Sequence, residues 1–180
     1  MKRRIVTLCM AVCMIAGVIV FATPAVAATQ GDVALKMAAY LGLDTSSTEN
    51  AIAALVDAGI VPGEGWNAGA TVDAAFAGAL FTAVNTAAES GAITAPPNLA
   101  TASALTAAAL TSAGVDSATA IAGIVAAGGN EANAQSGATI GTTAGALGAP
   151  SGATGATGIL APDATPPAGT GGGGSGTPSS

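Results

Sequence analysis

Ten carboxylates and no histidine define the chemistry open to this 180-residue chain. Without His there is no imidazole base, no Ser-His-Asp triad and no His-ligated metal. Three acids, Asp57, Glu64 and Asp73, flank one Gly/Pro-rich turn and are the candidates for a cation site. Calcium, however, takes about six to eight oxygens, usually from a dense acidic run, and no such run occurs. Solvated and helix-end acids are the expected reading, and no metal or other cofactor is expected. A pair of carboxylates could also serve a glycosidase as acid and nucleophile, but no spacing singles out a pair. The other candidate is Trp66, the only tryptophan, followed by Asn67. Trp66 and Asn67 would form a small sugar-binding platform, the indole stacking on a pyranose ring. The indole would equally serve as the anchor that locks the turn onto neighbouring helices, because a large ring is the best core filler in an alanine-rich chain.

The elements around these residues begin with an export signal. Lys2-Arg3-Arg4 precede an uncharged apolar run, Ile5 to Phe21, and then Pro24 and the small-residue pattern Ala25-Val26-Ala27. That order predicts a signal peptide over residues 1–27, cleaved before Ala28. A retained anchor is the competing reading, since the run reaches the lower limit of spanning lengths, roughly 17–25 residues. Both cysteines, Cys9 and Cys13, lie in this run and neither follows a lipoprotein pattern. The mature chain is therefore expected to be thiol-free, exported to the periplasm, cell surface or medium, and without a membrane span. It keeps Lys36 as its one cation against ten acids, a net charge of 1 − 10 = −9. No basic footprint for nucleic acid or anionic lipid remains.

Helical periodicity organises the mature chain. Val33, Met37 and Leu41 recur every four residues, widened by Leu35 and Tyr40, up to Gly42. Ser46-Ser47-Thr48-Glu49 has capping-box spacing and opens a second helix carrying Ile52, Leu55 and Val56 to Gly59. After the turn, Thr71 is the expected cap of a third helix, with Asp73 in its first turn and Phe76, Leu80, Phe81 and Val84 on its apolar face. Pro96-Pro97 ends that unit. Two alanine-rich helices follow, about Thr101–Ala113 and Ser117–Ala127. Their large apolar residues are few, so this hairpin is expected to dock on the first three helices or on a partner. Its order (helix, Asp-containing turn, aliphatic helix ending in Gly) parallels residues 34–59, either as a degenerate repeat or as the coincidence that alanine-rich helices invite. Thr101, Thr106 and Thr111 do not form an ice-binding row, because a spacing of five turns about 500° around the axis. Thirteen of the 26 glycines fall after residue 135, which predicts a tail too poor in apolar surface to offset ordering entropy of about 1–2 kcal/mol per residue.

Across about residues 46–85 the chain resembles the S-layer homology module of exported bacterial surface proteins. Ala51-Ile52-Ala53-Ala54-Leu55, Gly59-Ile60-Val61-Pro62-Gly63, Trp66-Asn67 and Thr71-Val72-Asp73-Ala74 follow that family's order. The resemblance implies an all-helical fold and a cell-surface setting. The family's Arg after the Thr is Val72 here, so binding of anionic wall polymers does not carry over.

These readings combine into an all-α fold: a small bundle of about five short helices with a Gly/Pro-rich turn, followed by a disordered tail. The expected division is a signal at 1–27, a helical core at 28–97, a docked hairpin at 98–130 and a tail at 131–180. The expected function is that of a non-enzymatic structural or surface-associated protein of the bacterial envelope or extracellular matrix. Cell-envelope polymers or other surface proteins are its expected partners. The alternative is a carbohydrate- or peptidoglycan-binding module using Trp66.

Overall fold

A computed structural model describes residues 27–91, 93–146 and 158–163. Residues 1–26 of the expected signal (1–27) lie outside them, as do parts of the expected tail. The described chain is all-α, with six helices and one minimal two-stranded pair. None of these helices is long and apolar enough to cross a membrane.

Helix α1, Gln30–Leu41, opens on a capping box in which Thr29 Oγ1 accepts the Asp32 N–H and Asp32 accepts the Thr29 N–H. Its buried stripe is Val33, Met37 and Tyr40 with Ala34 and Ala38. It ends at Gly42, whose φ of 68° suits a residue without a Cβ, and the Leu43 N–H returns to the Ala38 carbonyl at 2.8 Å. The expected stop is therefore where the helix stops.

Two expected caps move. Helix α2, Thr48–Asp57, is capped by Ser47, whose hydroxyl accepts the Asn50 N–H at 3.1 Å. Ser46 instead accepts from the Asn50 side chain, and its own N–H goes to Asp44. Asp44 pulls the chain into a local turn that shifts the helix start by one residue, which takes Glu49 out of the capping-box position. Helix α3, Ala74–Glu89, is capped by Asp73 through a 2.8 Å bond from the Phe76 N–H. Thr71 is not free to cap, because it is extended in a bridge to Thr29. The apolar face of α3 is as expected, with Leu80 and Val84 fully buried and Phe76 and Phe81 nearly so.

The centre of the bundle is helix α4, Ala102–Ser112, where every residue is buried. Thr101 caps it and Pro97–Leu99 forms a 3-10 turn before it. The expected hairpin does pack on the helices of residues 28–97, but its first helix is the core's axis rather than an addition to a finished core. It touches α1, α3, α5 (Ser117–Ala126) and most extensively α6 (Glu131–Ala146). Leu105 and Leu110 each contribute roughly 1.5–3 kcal/mol by burial. Alanine contributes little area but lets helices approach closely from every side. The hydroxyls of α4 fold back on the helix, Thr111 donating to the Ala107 carbonyl and Ser112 to the Ala108 carbonyl, and the Tyr40 hydroxyl meets Ser112 at 2.7 Å. Thr101, Thr106 and Thr111 thus cap or fill the core and form no exposed row.

Helix α6 corrects the expected tail, which was to begin at residue 131. Gly137, Gly141 and Gly145 recur every four residues and lie against Ala104, Ala108 and Ser112 of α4, which recur at the same spacing. The two helices run parallel with backbones in contact. A Cβ at Gly137 would sit 2.7 Å from the Ala104 Cα, and one at Gly141 2.8 Å from the Ala108 Cα. A Gly-x-x-x-Gly row of this kind substitutes close backbone packing for large side chains. The α3–α5 contact uses the same device: a Cβ on Gly78 would lie 2.8 Å from the Gly123 carbonyl oxygen. Glycine content was therefore the wrong index of disorder here, since it was the spacing that mattered.

The chain returns once more. Strand β2, Gly158–Ile159, pairs antiparallel with β1, Thr94–Ala95, and Leu160 is fully buried. The remainder of the expected tail, residues 147–157 and 164–180, lies outside the described residues.

Candidate functional site

The turn from Gly59 to Asn67 brings its own side chains to structural work. Ile60 is fully buried and its N–H returns to the Leu55 carbonyl at 2.8 Å. The half-buried Trp66 donates its indole N–H to the Ile60 carbonyl at 3.0 Å. Its ring meets Phe76 edge-on, with centroids 5.7 Å apart and planes at 68°, a favoured aromatic geometry. Asn67 is exposed, and its backbone N–H reaches Gln30 Oε1 at 2.9 Å. The segment that follows completes the N-terminus of α1, with the Gln30 N–H on the Ala70 carbonyl and the Gly31 N–H on the Ala68 carbonyl. Two orphan donors of a helix end are satisfied by this loop. The turn thus fastens α1 to α2 and α3.

A cleft of roughly 390 Å³ opens beside the turn, walled by Gln30, Glu64, Thr71 and Asp73 with Phe76 and Ala79. It brings together two of the three candidate acids, Glu64 and Asp73. Asp57, exposed at the end of α2, is not in its wall, and neither is Trp66. Among the described residues, no three acids converge as a metal site would require. A second, shallow groove between α5 and α6 has Ile121 and Ala138 in its wall with Thr139, Thr142 and Thr143 around them.

Most of the aspartates hold backbone. Asp32, Asp73 and Asp116 accept helix-opening N–H groups of α1, α3 and α5. In Asp32 the acceptance is reciprocal through the capping box. Asp44 accepts the Ser46 N–H at 2.8 Å, a bond that, together with the Ser46 side chain, draws its carboxyl below the ordinary value of 3.8. Glu89 and Glu131 accept side-chain amides of Asn85 and Gln135 on their own helices.

The most elaborate polar cluster is one the sequence did not indicate. The Asp163 carboxylate accepts the Ser103 hydroxyl, the Asn130 N–H at 3.1 Å and the Asn133 amide at 3.1 Å. The Asp163 N–H donates to Asn85 Oδ1 at 3.0 Å. Asn130 in turn caps α6 through the Asn133 N–H. The available signals were Asn130-Glu131 ahead of the four-residue glycine spacing, and a lone Asp in an otherwise uncharged stretch.

No protein family, curated protein or solved structure matches this chain.

Proposed function

We propose that this chain is a non-enzymatic structural or surface-associated protein, exported by its residues 1–27 and working by packing within a bacterial envelope or matrix. One observation carries the reading: every aspartate but Asp57 is used as a helix cap, a turn acceptor or a clamp. A carboxylate whose oxygens are taken up by N–H groups of its own fold is poorly placed to reach a substrate proton. The sparse charge outside these positions leaves Ala, Thr, Ser and Gly to cover the surface, which suits close lateral packing. The S-layer homology resemblance at residues 46–85 points to the same setting. The test is incubation of residues 28–180 with purified envelope polymers. Co-sedimentation without release of fragments supports the reading, and polymer cleavage that disappears on substituting a single acid rejects it.

A second reading is supported by the cleft beside the turn. An amide, a hydroxyl and two carboxylates around the Phe76 ring are the groups a neutral glycan requires. Carbohydrate binding would then centre on Gln30, Glu64 and Asp73, with Trp66 reporting through Phe76 rather than stacking on the sugar. Titration with envelope glycans that shifts Trp66 fluorescence, and loses that effect in Glu64→Ala, would put this reading first.

A further inference from the structure

Residues 158–163 cross the bundle as an extended strap held by three kinds of contact. Backbone bonds run from the Leu160 N–H to the Ile93 carbonyl at 3.0 Å and from the Ala161 N–H to the Ala100 carbonyl at 2.8 Å. A third runs from the Ala102 N–H back to the Ala161 carbonyl at 3.2 Å. One side chain, Leu160, is completely buried in the core. One charge, Asp163, is received by Ser103, Asn130 and Asn133. Sheet-edge pairing for affinity, with a side-chain socket and a polar clamp for specificity, is how proteins recognise extended peptides.

We propose that this groove is a peptide-binding site for the sequence Gly158-Ile159-Leu160-Ala161-Pro162-Asp163, and that a second copy of the chain can supply that segment in trans. The chain length between the elements permits both arrangements. Helix α6 runs parallel to α4, so it ends beside Ser112 while the strap ends beside Ser103. Its 16 residues cover about 24 Å at ~1.5 Å per residue. Residues 147–162 join the end of α6 to Asp163, and sixteen residues reach about 53–58 Å when extended. Closure onto the same bundle is therefore allowed. It prevails in dilute solution, because a short tether gives an effective concentration on the order of millimolar. Exchange takes over where copies are crowded. Reciprocal exchange makes a closed dimer, and one-way exchange makes an open chain of subunits. The inference is independent of where the protein resides.

Shortening the connection is the test. Deleting residues 147–157 from the 28–180 chain joins Ala146 to Gly158, and the five residues before Asp163 then reach only about 17–18 Å, short of the length of α6 back to Ser103. The expected product is a helical dimer or longer oligomer that excess free peptide of the strap sequence returns to monomer. Adding Leu160→Ser and Asp163→Ala to the deletion should also give monomer. A helical monomer from the deletion alone, or oligomers that persist with both substitutions, overturns the proposal. A second variant covers the case in which the deletion unfolds the chain. With the connection intact, Leu160→Ser/Asp163→Ala frees the groove, and labelled strap peptide should bind it at least tenfold more tightly than it binds the unsubstituted chain. Equal and negligible binding to the two, with helicity preserved, also overturns it.

Discussion

The seam between α4 and α6 makes opposite predictions for two glycines on one helix face. Replacing Gly141 by Ala raises intrinsic helix propensity by about 1 kcal/mol, yet the added methyl would lie 2.8 Å from the Ala108 Cα. That neighbour is backbone in a fully buried helix and cannot swing away. The helices must separate, and overpacking of this kind costs about 1–3 kcal/mol or more. The carbonyl groups accepting from Thr111 and Ser112 across the seam, Ala138 and Gly141, would move with it. The net expectation is destabilisation of about 2 kcal/mol, or a Tm lower by about 4–8 °C for a chain of this size. At Gly145 the same methyl would meet the Ser112 carbonyl oxygen at 3.4 Å and Cα at 3.5 Å, ordinary contact distances. Gly145→Ala is therefore expected to be neutral or stabilising by up to about 1 kcal/mol. Thermal unfolding followed by circular dichroism at 222 nm separates the two. Equal effects, or a stabilised Gly141→Ala, would refute close backbone packing as what holds α6 in place.

Four further outcomes follow from named contacts. Asp73→Ala removes the cap of α3 and should cost about 1 kcal/mol, whereas Thr71→Ala should stay within about 0.5 kcal/mol; urea unfolding of both variants decides which residue caps. Trp66→Phe keeps a ring beside Phe76 but loses the bond to the Ile60 carbonyl, an expected loss of about 1 kcal/mol in the same assay. Thr106 Oγ1 is buried without a hydrogen-bond partner among the described residues; Thr106→Val should raise stability by roughly 1 kcal/mol, since an unpaired buried hydroxyl costs about 1–3 kcal/mol, and a lower Tm would show a partner is being lost. Asp44 has a lowered carboxyl value in the folded chain, so its stabilisation is complete above 3.8 and fades as pH falls through the lower folded value. Asp44→Asn should flatten that part of the acid-unfolding curve, and an unchanged curve would contradict the assignment.

Helices with large residues at regular spacing were readable directly from sequence. Val33, Met37, Leu80 and Val84 fall on buried faces, and Gly42 marks the end of α1, because period and left-handed stops are local signals. Caps were readable only to within a residue or two. Ser47 rather than Ser46, and Asp73 rather than Thr71, are selected by contacts elsewhere: the Asp44 turn in one case and the Thr29–Thr71 bridge in the other. The centrality of α4 and the existence of α6 were hidden for a single reason. Hydrophobicity measures how much area a side chain can bury, and neither Ala108 nor Gly141 has much. What they offer is the absence of an obstacle, which matters only once the partner helix is in place. The strap was hidden similarly, since Leu160 and Asp163 have meaning only against Ile93, Ser103 and Asn130. At the candidate site, the proximity of Glu64 and Asp73 could be anticipated from their places around the turn. The engagement of Trp66 with Ile60 and Phe76 could be anticipated only as one of two roles.

The proposed role is that of an exported chain most of whose aspartates hold its own fold and whose surface packs within the envelope. Fractionation of the native cell, with mass spectrometry of the protein's N-terminus in each fraction, tests it most directly. Export with cleavage gives a chain beginning at Ala28, recovered with envelope or matrix material. A chain retaining residues 1–27 and recovered from the cytosol would contradict it.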